Sequence, residues 1–408
     1  PSFREALAFW HKLGWISFGG VAGQIAIMQA ELVDRRRWID QREFLQALNF
    51  CTLLPGPEAQ QLATYCGWRL HGWRGGAAAG LLFIGPGALI MWAAAWLLAA
   101  QGDVTAVVAV MSGIKPVVVA IIAAALWRMA GKALGHVAAW VLAVAAFAAL
   151  VWLDAPFPLV VLVAGLVGFV LPAFAPKEAP PAAPPPHRLG RLAGLVALFV
   201  GLWAVPVGAV LLAFGTQPFA DIARLFTTAA FVTFGGAYAV LPYVADAAVN
   251  DYSWLSTAQM VDGLALAETR PGPTILVLQY VGFLAGWAGS ATPLATATVA
   301  AALTTYVTFL PSFLFIFAGA PYVVWLGSVR RLGGALAAIT AAVVGVIASL
   351  GVFVADAVLL PQGRPDGVAL VLAIIAFAAL WRFKVAVHWL VVAGAVVGVF
   401  RLLAFGAP

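Results

Sequence analysis

The chain of 408 residues is 64% apolar and only 9% charged, with a formal net charge of +6. A soluble domain carries about 45–50% apolar and about 25% charged residues, so a soluble enzyme is excluded. A crossing helix takes about 20 residues, which leaves room for about a dozen crossings, and basic cytoplasmic loops account for the charge without a nucleic acid partner.

The chain opens Pro-Ser-Phe-Arg-Glu, from which no cleavable signal peptide is expected. Two apolar segments follow, 3–33 and 41–71, broken centrally by Gly19-Gly20 and by Pro55-Gly56-Pro57. Uninterrupted spans are expected at 76–100, 105–127, 134–153 and 157–172. Pro172 to Pro186 is too rich in proline for helix and reads as a semi-rigid linker, assigned to 173–190 on the cytoplasmic side. One unmatched span, 191–214, leads to two more broken segments, 219–249 and 257–287, and to spans at 293–318, 333–355, 367–381 and 385–403.

The second half repeats the first. Phe18-Gly19-Gly20 recurs as Phe234-Gly235-Gly236, Trp38 as Trp254 and Pro55-Gly56-Pro57 as Pro271-Gly272-Pro273, all at one constant spacing. Tyr65 and Gly67 return as Tyr280 and Gly282, and Gly72-Trp73 as Gly286-Trp287. Leu and Ala matches arise by chance in apolar sequence; Gly-Gly, Trp and Pro-Gly-Pro in register do not. The expected architecture is an all-α polytopic membrane protein of two repeats, 1–172 and 215–408, each with two broken-helix hairpins and four transmembrane helices.

Equivalent loops carry opposite charge. Arg35, Arg36, Arg37 and Arg42 face a counterpart with Asp246 and Asp251, and Asp154 matches the turn of Arg382 and Lys384. Because cytoplasmic loops collect Lys and Arg, the two repeats are expected to be inverted relative to each other, with the broken segments re-entrant and the extra span inverting the second half. The rival threading, in which each broken segment crosses fully, separates Arg35–Arg37 from Arg69 and Arg74.

Non-helical backbone at membrane depth is tolerated only where it is buried in protein or lines a cavity. Each break restarts a helix whose first N–H groups and positive dipole end favour an anion. Gly19, Gly20, Gly56, Gly235, Gly236 and Gly272 are therefore candidate substrate-binding positions, and inverted hairpins would gather four such termini near the midplane. Polar side chains around the tips extend the set to Asn49, Glu58, Gln60, Glu268 and Thr269. Arg270, next to the second tip, reads either as an oxyanion ligand or as a structural partner of Glu268, Asp262 or Glu58. Lys115, before Pro116 in mid-span, reads either as a substrate counter-ion or as the closure of a helix end. Glu58 suits plain capping of a half-helix as well as proton coupling.

No cofactor is expected. Cys51 and Cys66 lack CxxC spacing, the five histidines are scattered, and no Walker-type loop exists. An integral-membrane lipid-pyrophosphate phosphatase also uses re-entrant hairpins, but its nucleophile beside an Arg/Glu cluster is not found at these tips. A channel with the same pore is the other competing class.

Three stretches carry a family resemblance: F-G-G-V-A-G-Q-I-A (18–26), E-L-V-D-R-R-R-W-I (31–39) and L-N-F-C-T-L-L-P-G-P-E-A-Q-Q-L-A-T-Y (48–65). They closely resemble the chromate ion transporter family, and F-G-G-A-Y-A-V-L-P-Y-V (234–244) and D-G-L-A-L-A-E-T-R-P-G-P (262–273) are similar to its second-half signature. G-I-K-P-V-V-V-A-I-I (113–122) looks like its Lys-bearing helix. The chain departs from the family pattern at Val21, where Pro is usual, and at Arg270, where Thr is usual. The resemblance therefore ranks Arg270 below Lys115 as a shared ligand. It implies export of chromate across a bacterial cytoplasmic membrane and chromate resistance. Sulfate shares chromate's charge and shape and stays open as an alternative, as does a homodimer.

Overall fold

The computed structural model describes residues 1–18, 20–102, 104–175, 189–288, 290–323 and 329–406. Among these residues all regular structure is helical. Helix α1 (Phe3–Ile16) starts at Ser2, whose side chain accepts from the Glu5 amide. Helix α2 (Gly20–Gln29) widens into a π-helical turn, Ala30–Arg35. Asp40 caps α3 (Gln41–Leu53), and α4 (Glu58–Gln101) restarts after Pro-Gly-Pro and kinks at His71-Gly72. Helices α5 (Thr105–Ala133), α6 (Val137–Trp152) and α7 (Phe157–Val170) complete the first half. Most of the proline-rich linker, 176–188, lies outside the described residues.

After α8 (Leu189–Phe214) the pattern returns. Helix α9 (Phe219–Val232) precedes α10 (Ala237–Asp246), which again ends in a π-helical turn, Ala247–Asp251. Helix α11 (Thr257–Thr269) opens with a capping box between Ser256 and Gln259, and α12 (Val277–Trp287) follows the second tip. Helices α13 (Pro293–Gly319), α14 (Arg330–Leu359), α15 (Gly367–Arg382) and α16 (Val387–Phe405) close the chain.

The duplication extends to backbone torsions. Arg37 and its counterpart Ser253 both take the left-handed conformation (φ 52° and 51°), as do Asp154 and Lys384 (φ 47° and 52°). Side chains change while the geometry stays: the Arg36 guanidinium lies 4.8 Å over Trp38, and in the second half Tyr252 stacks on Trp254 at 4.5 Å. A cation is thus exchanged for a neutral ring on the same indole platform, which is how the loop charge differs without a change of fold.

The halves interlock reciprocally. Helix α5 packs against α15 and α16, and α14 packs against α6 and α7. Small residues permit the approach, as expected where lipid supplies no hydrophobic drive between helices. A Cβ on Gly398 of α16 would fall 2.0 Å from the Ala109 carbonyl oxygen of α5; one on Gly168 of α7 would fall 2.2 Å from that of Gly334 in α14. Cys51 and Cys66 are buried free thiols.

Three of the expected spans form short helices: 134–153, 157–172 and 367–381 carry helices of 16, 14 and 16 residues. At 1.5 Å per residue these reach about 24, 21 and 24 Å, against a hydrocarbon core of roughly 30 Å. The left-handed Asp154 follows the end of α6, and Pro156 caps the start of α7. The five-helix set α4, α5, α8, α13 and α14, with α16, is long and apolar enough to cross.

At the start of α15, Asp366 accepts from the Val368 and Ala369 amides and pairs with Arg401 at 2.6 Å. Burial opposes its charge, but Arg401 and the two amides outweigh it and hold the carboxyl below its usual range. The sign is that of a depressed acid: the stabilisation is complete above the unfolded value near 3.9 and is lost as pH falls through the folded one. Asp366→Asn should therefore lower the melting temperature at pH 7 and flatten its decline on acidification, read by thermal denaturation in detergent across pH 2–7.

Candidate functional site

The four breaks meet through two matched hydrogen bonds. The Gly56 amide of the first tip donates to the Thr233 carbonyl at 2.7 Å, and the Gly272 amide of the second tip donates to the Ser17 carbonyl at 3.0 Å. Ser17 and Thr233 are equivalent residues just before the two Gly-Gly breaks, as Gly56 and Gly272 are equivalent at the tips. Each tip is thus tied to the other half's broken helix. Both hydroxyls fold back on the carbonyl four residues earlier, Leu13 and Ala229, a bond that bends the last turn away from helix.

The tips need glycine. Gly56 and Gly272 have φ of 116° and 95°, where a side chain is strained. A Cβ would lie 2.7 Å from Ser312 Oγ at the first and 3.2 Å from Gly87 Cα at the second. Gln24 secures the junction by donating to the Gly272 carbonyl at 2.8 Å, and Gln61 does so by donating to that of Pro55 at 2.7 Å.

The candidate residues separate into groups. The Gly56 and Gly272 amides are engaged in the junction, whereas Gly20 and Gly236 (φ 66° and 97°) open on free space at the starts of α2 and α10. Gly235 abuts Met129 and Val343 of α5 and α14, and Gly19 lies outside the described residues. Arg270 is 5% exposed and turns onto its own tip, donating to the carbonyls of Pro271 (3.0 Å) and Pro273 (3.1 Å). Its Nε has no partner among the described residues. Glu268 accepts from Tyr238 Oη at 2.6 Å. Thr269 and Gln60 donate locally, to the Leu266 carbonyl and to Thr64 Oγ1. Asn49 is exposed on α3, and Glu58 is half-buried in the first turn of α4.

Lys115 has an acid partner that its own neighbourhood in sequence does not contain. Its Nζ is 2.9 Å from Asp262 Oδ1 on α11, an ion pair that retains 24% and 18% side-chain exposure. Arg128 and Lys132, beyond the expected span 105–127, are carried by the last turns of α5 and are exposed. Neither forms an ion pair among the described residues. Their neighbour Met129 touches Gly235, which puts this basic end of α5 beside the second Gly-Gly break. The missed signal was the continuation of the helix to Ala133 beyond the apolar run.

Broken helices paired across a duplicated, multi-pass helical membrane fold are the architecture of secondary transport proteins. Residues 4–169 and 220–399 match the family described as Chromate transporter. The chain belongs to the chromate transporter family. It is 32% identical over 410 residues to the chromate transport protein of Pseudomonas aeruginosa, covering 97% of this chain and 92% of that one. The probable chromate transport protein of Synechococcus elongatus is 29% identical over 402 residues (98% and 95% covered), and that of Cupriavidus metallidurans, named chromate transport protein, 28% over 398 (97% and 92%). No solved structure matches the chain.

Proposed function

We propose that this protein exports chromate from the cytoplasm across a bacterial inner membrane and thereby confers chromate resistance. The observation that carries the proposal is the reciprocal junction of the four breaks, with open helix starts at Gly20 and Gly236; the Lys115 cation lies on α5, paired with Asp262 of α11. First-turn amides at α2 and α10 present donors and a positive dipole end to a tetrahedral oxyanion, and Lys115 supplies a full charge. Arg128 and Lys132 concentrate anions at the approach. The inverted arrangement of 1–172 and 215–408, with the linker 173–190 cytoplasmic, is part of the same proposal. It is supported by the exchange of basic for acidic loops between halves and by the matched bonds of Gly56 and Gly272. A dianion leaving a negative interior gains about 4.6 kcal/mol per 100 mV, so the membrane potential suffices, with a proton gradient as the alternative drive through Glu58 and Glu268. Sulfate is the competing substrate of the same charge and shape.

Intracellular chromium in cells expressing the chain tests this reading. Exposed to chromate, they should accumulate several-fold less than cells with an empty vector, and added sulfate should not abolish the difference. Equal or greater accumulation would refute export.

A further inference from the structure

The two hairpin pairs are built alike but do not pack alike. Helix α10 lies against α14, and α11 lies against α5, where Asp262 meets Lys115. The counterpart interfaces, α2 on α5 and α3 on α14, are not among the extensive helix packings of the described residues, while α2 and α3 pack against α4. Exposure follows. Leu45 of α3 is 43% exposed, whereas its equivalent Val261 of α11 is 1% exposed, and Asn49 is exposed where Ala265 is fully buried. The internal repeat names what belongs on this open face. Gly398 of α16 nests on Ala109 and Gly113 of α5, as Gly168 of α7 nests on Gly334 and Ala338 of α14. That register puts Thr340 of α14 at the position of Lys115 of α5. The repeat puts Gln46 of α3 at the position of Asp262 of α11.

We propose that the Lys115–Asp262 ion pair latches one of two gates, and that in the alternate state α3 closes on α14 through Gln46 and Thr340 while α11 leaves α5. This rests on the transporter reading above and names the gating of its site. The present state has the second-half gate shut and the first-half gate open toward the basic end of α5. The two gates differ in chemistry: an ion pair holds one, and a neutral amide–hydroxyl pair holds the other. Releasing the latch frees Lys115 from its tethered carboxylate, so a bound oxyanion takes over as its counter-ion. The carboxylate and the substrate thus compete for one cation, and this competition couples anion binding to the exchange of gates.

The test is cross-linking without chromate, so that it does not depend on the identity of the substrate. Gln46→Cys and Thr340→Cys are introduced together into a chain with Cys51→Ala and Cys66→Ala, then oxidised in membrane vesicles. A disulfide needs Cα atoms about 4.4–6.8 Å apart, so it forms only when α3 reaches α14. Its yield should be low with the latch intact and rise at least about fivefold with Asp262→Asn. Lys115→Gln breaks the same latch and replaces Asp262→Asn should that variant not reach the membrane. In parallel, labelling of Leu45→Cys by an impermeant maleimide should slow when the latch is broken. Cross-linking that is the same with and without the latch, or labelling that does not change, overturns the proposal. A gate exchange that responds to the latch in a chain that moves no chromate would sustain this inference and fail only the substrate assignment.

Discussion

Lys115→Met is expected to abolish chromate flux, with a loss of at least about 100-fold, because in the proposed mechanism the substrate loses the full positive charge of Lys115. The same substitution strands Asp262, which sits on α11 with only 18% side-chain exposure and has Lys115 as its ion-pair partner at 2.9 Å. An acid left without its cation at this depth costs about 3 kcal/mol, so the single variant should also melt earlier. The double variant Lys115→Met/Asp262→Asn separates the two effects. Removing both charges should restore most of the thermal stability and none of the transport. Flux assays and melting curves on the parent, the single and the double variant check this. Recovery of flux in the double variant would reduce Lys115 to a structural partner of Asp262.

The second large effect is expected at the tips. Gly56→Ala places a Cβ 2.7 Å from Ser312 Oγ and 2.9 Å from Gln61 Nε2 at a φ of 116°; Gly272→Ala places one 3.2 Å from Gly87 Cα at a φ of 95°. Backbone strain of this kind costs about 1–3 kcal/mol, before any shift of the neighbours. The first tip is crowded by side-chain ends, which can turn aside. The second is crowded by the backbone of α4, which cannot. Gly272→Ala is therefore expected to be the more damaging of the two, and both should weaken the bonds to Ser17 and Thr233 that tie the halves together. Alanine at Gly190 or Gly201, where nothing approaches within 4 Å, is the matched control. Monodisperse yield from detergent extracts should fall in the order control, Gly56→Ala, Gly272→Ala.

Much of this architecture is written in single residues. Gly-Gly and Pro-Gly-Pro mark the breaks, where Gly20, Gly56, Gly235, Gly236 and Gly272 take positive φ, and the helices found at 3–16, 20–29, 41–53 and 219–232 begin or end beside them. The doubled π-helical turns could not be read the same way. Ala30–Arg35 and Ala247–Asp251 share no composition that distinguishes a π turn from an α turn, so only the coordinates reveal that they repeat. The expected ends of α6 and α7, at 153 and 172, lie within two residues of the observed ends at Trp152 and Val170. The site was legible in its ingredients and not in its pairing. Lys115 and Arg270 announce themselves as cations within apolar sequence, but Asp262 lies in the other repeat, and a helix-to-helix contact is needed to bring it to Lys115. Likewise, the tip amides promise donors to a ligand, and only the crossing of the two halves assigns those of Gly56 and Gly272 to Thr233 and Ser17.

Chromate flux in proteoliposomes under an imposed, reversible membrane potential is the most direct test of a voltage-driven oxyanion exporter built around Lys115. Net chromate movement should run toward the positive side, reverse when the potential is reversed, persist in excess sulfate and vanish in Lys115→Met. Flux indifferent to the potential, or unchanged in Lys115→Met, would contradict that mechanism.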